Sequence, residues 1–160
     1  MGRNFLGLFI VSLAALFGST ARAQPYFNDR FGYKVDLPLS FEIVNAADNG
    51  DGLSLQTPDG SARLLVFGAN IPESGFAAEV ARRKQLDAHD GWDITYTKSG
   101  PNWASYSGLK GGKVIYNRAI SLCDDTAGYF SIQYPAVQRK QYDTVVTKLT
   151  KTLTAPTRCD

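Results

Sequence analysis

The chain has 160 residues, of which 44% are hydrophobic and 20% are charged, with 17 Lys+Arg against 15 Asp+Glu. The length is sufficient for one domain with a hydrophobic core. The near-balance of charge, with no basic run longer than Arg82, Arg83 and Lys84, lacks the electrostatic footprint of a nucleic-acid-binding protein, so we expect no nucleic-acid partner. We interpret these three cations as the solvated face of a helix rather than an anion site.

Residues 1–23 have the pattern of a secretory signal peptide. Arg3 gives a positive start, an apolar run follows, and residues 21–23 read Ala-Arg-Ala, which is typical of a cleavage site. The run is shorter than the about 20 residues of a membrane span, and no second such run follows. We therefore predict cleavage between Ala23 and Gln24, no transmembrane segment in the mature chain, and a periplasmic or secreted location.

The expected mature domain, residues 24–160, contains two cysteines, Cys123 and Cys159. An even pair in an oxidising compartment most simply forms a disulfide, here between the chain terminus and an internal strand. Closing a loop of this length stabilises the folded state by roughly 3–4 kcal/mol. The alternative is a reactive or metal-bound thiol, which the absence of a C-x-x-C motif and the presence of a single histidine disfavour.

The first half of the domain is predicted to be strands joined by tight turns. Apolar and polar residues alternate over residues 31–38, which indicates a half-buried strand ended by a proline. Two runs, residues 53–57 and 62–68, flank a Pro-Asp-Gly turn and predict a hairpin. Residues 48–52 faintly resemble a calcium loop, but glycines occupy positions that need ligands, so we interpret them as a turn.

The second half mixes helices and strands. Residues 74–88 carry helix formers and predict a helix with Ser74 as a plausible N-cap. Apolar residues recur at helical spacing from Tyr142 to Leu153, which predicts an amphipathic final helix. Between the helices we predict four strands, the last three as an antiparallel meander, over residues 92–97, 103–108, 114–122 and 128–134. A helix on an antiparallel sheet gives an α+β layered domain.

Three stretches resemble the PsbP-like family. These are the entry strand within residues 29–38, the hairpin from Gly50 to Gly68, and the closing Tyr134-Pro135 with the helix that follows. The family includes the photosystem subunit PsbP, a nuclear Ran-binding import factor and small exported bacterial proteins. The resemblance implies a central antiparallel sheet flanked by helices, an α/β/α sandwich, and binding or assembly rather than catalysis. It carries over no functional residue, so it bears on fold more than on function.

Arg118 is the residue that the apolar pattern explains least. It shares a face of its predicted strand with large apolar groups, Tyr116 among them. Its guanidinium either pairs with an internal carboxylate, lies at a sheet edge, or meets an anionic ligand or partner. Trp103 and Tyr106 lie on opposite faces of their strand, so at least one could face solvent as an interface anchor. These four residues are the candidate ligand- or partner-binding residues.

Other residues give weaker signals. His89, the single histidine, falls at a predicted helix end, where a cationic side chain suits the helix dipole, and we interpret it as a solvated cap. Trp92, Ile94 and Tyr96 are alternate residues of one predicted strand, so they should lie on the same face, and we predict that they belong to the core. The chain has no nucleophile elbow, zinc-protease helix, P-loop or dinucleotide-binding motif. We therefore predict no catalytic, cofactor-binding or metal-binding residue.

The function that these observations favour is a soluble, non-catalytic envelope protein that binds a partner protein or supports an assembly. One alternative is a periplasmic hydrolase whose carboxylates are paired only by the fold. Another is a carrier of a small anionic ligand centred on Arg118. A buried cleft with two converging carboxylates would favour the enzyme, and a flat aromatic patch would favour the binding protein.

Overall fold

The computed structural model describes residues 23–156 and Cys159; the predicted signal peptide, apart from Ala23, lies outside them. Two helices of fourteen residues each, α1 (Phe76–His89) and α2 (Arg139–Thr152), accompany nine strands, and a short 3-10 helix, Ala136–Gln138, precedes α2. The strands are β1 (Gln24–Phe27), β2 (Lys34–Leu37), β3 (Glu42–Ala46), β4 (Gly52–Gln56), β5 (Arg63–Asn70), β6 (Asp93–Gly100), β7 (Trp103–Lys110), β8 (Lys113–Ser121) and β9 (Thr126–Pro135).

Seven of these strands form one antiparallel sheet in the order β3-β4-β5-β9-β8-β7-β6. Strands β1 and β2 form a separate antiparallel ribbon. Strand alternation places the residues that pack on α1 and those that pack on α2 on opposite faces of the sheet. The predicted fold class, a central antiparallel sheet flanked by helices, is confirmed, as are the hairpin and the closing meander.

The face that carries α2 holds the main core. Sixteen buried residues cluster there among those described, including Tyr142 and Leu149 of α2. The β1–β2 ribbon packs on the same face, where Gly68 and Gly128 stand opposite each other in β5 and β9. A Cβ at Gly68 would lie 2.2 Å from the ring of Phe31, so only glycine lets the segment before β2 approach this closely.

The face that carries α1 has a much smaller apolar cluster. Its buried members among the described residues are Ala119, Ala127 and Tyr129. The buried residue that α1 itself supplies is a glutamate, Glu79, which is 2% exposed. The cations that hold Glu79 come from α1 itself, so this buried carboxylate adds no apolar contact with the sheet, and the α1 face keeps a polar character.

Several predicted boundaries were wrong. The alternation over residues 31–38 marks buried Tyr33, Val35 and Leu37 correctly, but the strand begins only at Lys34, after a turn. Strand β3 was not predicted, because all five of its residues are exposed and no apolar alternation marks them.

Two local predictions in the second half also failed. Helix α1 begins after Gly75, whose φ of 85° favours glycine, so Ser74 is not its N-cap. A bulge between Ile94 and Tyr96 shifts the register of β6, which puts the two side chains on opposite faces. Tyr96 is 43% exposed rather than core, whereas Trp92, just before the strand, is buried.

Candidate functional site

Arg118 lies in β8 on the α2 face, at the outer part of the sheet that α2 does not cover. Its guanidinium carbon is 4.3 Å from the centre of the Trp103 ring, and its Nη1 donates to the Ser105 hydroxyl at 3.2 Å. Ser105 stands directly opposite Arg118 in β7 and is 2% exposed. Cross-strand register and cation–π stacking thus hold the side chain in one position.

No carboxylate pairs with Arg118 among residues 23–156. Its Nε is buried and makes no hydrogen bond with the residues that the structure describes. Burial lowers the pKa of Arg118, because desolvation disfavours the charged form, while the nearby Tyr116 and Tyr96 oppose that shift. The expectation of an internal carboxylate partner is therefore wrong, and so is a position at the sheet edge, since β8 lies between β7 and β9.

A groove of about 580 Å³ lies between α2 and strands β6 to β8, and Arg118 itself does not line it. Tyr116 lines it from β8, and the exposed Tyr96 and Leu109 line it from the outer strands. We call Arg118, Trp103, Tyr116, Tyr96 and Ser105 the Arg118 surface. It combines one fixed cation with three aromatic rings.

Tyr106 lies on the other face and does not join this surface. Tyr106 is only 6% exposed, so it is not the aromatic residue of this strand that faces solvent. Trp103 is partly buried and packs against the core. The Tyr106 hydroxyl donates to Asp87 Oδ2 at 2.6 Å, and Asn117 donates to the same oxygen at 3.2 Å. Burial, and then the bond to Asp87, raise the pKa of Tyr106, so its hydroxyl stays a donor.

Glu79 is held by two of the three consecutive cations that were expected to form a solvated face. Arg82 donates to both carboxylate oxygens, at 2.8 and 2.9 Å, and Arg83 Nε donates to Oε1 at 2.7 Å. These contacts lower the pKa of Glu79, hydrogen bonding from Arg82 being the largest cause, so the carboxylate stays ionised. Arg83 also stacks over Tyr129 at 4.3 Å and Phe67 at 5.2 Å. The expectation of a solvated face is therefore wrong for Arg83, whereas Arg82 pairs with Glu79 and remains exposed.

Part of this arrangement could have been found from the sequence. Glu79 precedes Arg82 and Arg83 by three and four positions, the spacing at which helix side chains meet. The pairing of Asp87 with Tyr106 and Asn117 joins α1 to β7 and β8 across 19 and 30 positions, and no local pattern marks it.

The disulfide between Cys123 and Cys159 is present, with Cα atoms 5.4 Å apart. Cys123 follows the end of β8 in the turn to β9 rather than lying within a strand. The turn contains Asp124 and Asp125 at positive φ. The bond therefore ties the end of the chain to this turn.

None of the helices formed by the described residues is long and apolar enough to cross a membrane. Within the same residues, histidines, cysteines and acidic side chains do not gather in a group of three or more that could hold a metal ion. His89 ends α1 and is exposed.

No protein-family model matches the chain, and no curated protein sequence matches it. Among solved structures, the chain is similar to the solution structure of cyanobacterial PsbP (CyanoP) from Synechocystis sp. PCC 6803. The TM-score is 0.62 at 14% sequence identity, and the match covers 89% of this chain and 98% of that one. At this identity the likeness establishes architecture. The chain therefore has the PsbP-like fold.

Proposed function

We propose that the mature protein is an exported, non-catalytic binding protein that docks a partner protein through the Arg118 surface. The observation that carries the proposal is the half-buried Arg118 guanidinium, stacked on Trp103 without a carboxylate partner among the described residues. Desolvating a cation is costly unless an anion meets it. The partner accordingly presents a carboxylate to Arg118 and apolar groups to Trp103 and Tyr116.

The shape of the surface favours a protein over a small anion. Small ligands bind in concave pockets that bury most of their own surface. The groove that Tyr116 shares with this surface is open to solvent, and Tyr96 and Leu109, at 43% and 36% exposure, lie along it. Arg, Trp and Tyr are also the residues that most often anchor protein interfaces. The PsbP-like fold supports the same reading, because the family resemblance implies binding or assembly factors.

The hydrolase alternative has less support. A pair of catalytic carboxyls needs one member with a raised pKa to act as the acid. The carboxyls whose pKa shifts in the described part of the chain, Asp59 and Glu79, both shift downward, because hydroxyl or guanidinium groups bond to them. Asp87 and Asp90 line one cleft, but two donors hold Asp87 as an acceptor.

Export is supported by the disulfide, since such bonds persist in oxidising compartments. Cell fractionation tests it: we expect processed protein, starting at Gln24, in the periplasm or medium, with no free thiol under denaturing conditions. A Cys159→Ser variant should lose about 3–4 kcal/mol of unfolding free energy. Unprocessed protein in the cytosol, or two labelled thiols in exported material, would contradict this half of the proposal.

Partner docking is tested by affinity capture from the envelope, with mass spectrometry of the captured proteins. The baits are the processed wild type, Arg118→Leu and Arg118→Lys. We expect a specific partner to be lost with Arg118→Leu and weakened about tenfold or more with Arg118→Lys, because lysine cannot reproduce the planar stack and fork.

The matched control is Arg63→Leu, which removes an exposed arginine from β5 that forms no ion pair with the described residues. Capture should be unchanged in this variant. A partner held equally by wild type and Arg118→Leu, or lost equally from Arg63→Leu, would refute docking at the Arg118 surface.

A further inference from the structure

A cleft of about 280 Å³ lies between α1 and the face of the sheet opposite the Arg118 surface. We call it the α1 cleft. Its apolar walls include Leu65 and Phe67 from β5 and Leu86 from α1, and its charged lining includes Arg83 and Asp87. Its volume lies just below the about 300 to 1,000 Å³ of typical ligand pockets, so it has room only for a compact molecule.

The positive end of the cleft has unused donors. Arg83 commits its Nε to Glu79, and its Nη groups donate to no acceptor among residues 23–156. A guanidinium has five N–H donors, so four remain. Tyr129, stacked beneath Arg83, also lines the cleft; it is 4% exposed, and its hydroxyl is buried without a partner in the same part of the chain. A buried hydroxyl left unpaired is costly, so this end favours a ligand that accepts hydrogen bonds.

The negative end is Asp87. Tyr106 and Asn117 fix its Oδ2, and no cation of the described chain pairs with it. The exposed Asp90 lines the cleft at the same end. The Lys110 ammonium donates to the backbone carbonyl of Asp90, so Asp87 is the carboxylate here that favours a positively charged group from a ligand.

The two ends do not neutralise each other. Arg83 and Asp87 are four positions apart on α1, about 6 Å along the axis, a spacing at which opposite charges commonly pair. They form no ion pair, because Glu79 and the aromatic stack hold one and Tyr106 and Asn117 hold the other. The structure therefore presents a cation and an anion on one helix, in a cleft whose apolar lining includes Leu65 and Phe67 of β5.

We propose that the α1 cleft binds a small zwitterion of the class of apolar α-amino acids. The ligand carboxylate accepts hydrogen bonds from Arg83 and the Tyr129 hydroxyl, and its ammonium group donates to Asp87. Its side chain packs against Leu65 and Phe67. Arg118 also borders this cleft, but its guanidinium lies on the other face of the sheet, against Trp103 and Ser105, so the two sites use different side chains.

The test is a titration of the processed, disulfide-bonded protein with L-leucine, followed by ¹H–¹⁵N chemical shifts. We expect saturable shifts in α1, β8 and β9 at millimolar ligand. The matched probes are 4-methylpentanoate, which is leucine without the ammonium group, and 3-methylbutylamine, which is leucine without the carboxylate. Each should bind at least about tenfold more weakly, because each leaves one charged partner unmet.

Two conservative variants locate the site. Asp87→Asn keeps an acceptor for Tyr106 and should lower leucine affinity by about tenfold or more. Tyr129→Phe keeps the stack under Arg83, should leave the unfolding free energy unchanged or higher, and should lower leucine affinity about fivefold. The controls, Asp143→Asn on α2 and Tyr116→Phe on the opposite face, should leave it unchanged.

Three results would overturn the proposal. The first is no saturable shift with leucine at about 10 mM. The second is equal binding of leucine and 4-methylpentanoate, which would leave Asp87 without a role. The third is unchanged leucine affinity in folded Asp87→Asn and Tyr129→Phe.

Discussion

The two helices have equal length and cover opposite faces of one sheet, yet different forces dock them. Helix α2 buries Tyr142 and Leu149 in the cluster of sixteen buried residues. Helix α1 buries Glu79 and holds it with Arg82 and Arg83. The α2 side is stabilised chiefly by apolar area. The ion pairs of Glu79 lie within α1, so α1 meets the sheet instead through Arg83 stacked on aromatic rings, through hydrogen bonds to Asp87 and through a small apolar cluster.

This difference indicates which parts of the molecule supply stability and which parts are available for binding. Apolar docking contains no titrating group and no charge for salt to screen, whereas a helix held partly by charged groups responds to both pH and charge screening. With fewer buried apolar contacts, α1 should also open more readily than α2. The cleft under α1 and the strands beyond α2 each contain a buried polar atom without a hydrogen bond in the described chain, the Tyr129 hydroxyl and Arg118 Nε. Function is accordingly expected at the parts of each face that the core does not fill.

The largest expected loss of stability comes from a large-to-small substitution in the core under α2. Leu149 is fully buried, and Leu149→Ala should lower the unfolding free energy by about 2–5 kcal/mol through lost transfer energy and the cavity that remains. The same substitution at Leu86 of α1, which is 50% exposed, should cost less than about 1 kcal/mol. Urea denaturation measures both, and similar losses would show that the two helices dock in the same way.

The next effect comes from neutralising the carboxylate under α1. Glu79→Gln weakens charge-assisted hydrogen bonds to two arginines and should cost about 1.5–3 kcal/mol. Glu73→Gln, an exposed glutamate just before α1, is the matched control and should be neutral. A Glu79→Gln protein as stable as wild type in urea melts would remove the electrostatic account of this face.

A smaller, local effect should follow acidification. The folded-state pKa of Glu79 lies below its unfolded value of 4.5, so its stabilisation is present above pH 4.5 and is lost as pH falls through the folded pKa. Hydrogen exchange below pH 4.5 should therefore show α1 amides losing protection before α2 amides. In Glu79→Gln this extra pH dependence should vanish. Equal loss in both helices of the wild type would contradict it.

The pattern of apolar residues predicted those helices and strands that bury one face in the core. The hairpin, the meander and α2 follow from alternation, turn residues and helical spacing, because each of them buries one side. Strand β3 and the bulge in β6 escaped prediction, because exposed edge strands carry no alternation and a single inserted residue inverts parity.

The polar contacts were harder to predict, since they depend on tertiary distance. Arg118 was recognised as unusual from its place among apolar groups, but its lack of a carboxylate could be seen only in the fold. Tyr106 and Trp103 were both taken as candidate binding residues because they are aromatic. They are three positions apart in one strand, so alternation already placed them on opposite faces of the sheet. The residues that line the α1 cleft come from β5, α1, β7, β8 and β9, and no local motif joins them.

The smallest expected change in stability tests the central claim, that Arg118 is retained for binding rather than for folding. Arg118→Leu keeps apolar packing on Trp103 and removes a desolvated charge that no described carboxylate neutralises. We predict an unfolding free energy within about 0.5 kcal/mol of wild type, or above it. Loss of about 3–5 kcal/mol, the cost of breaking a buried ion pair, would contradict the claim and make Arg118 a structural residue.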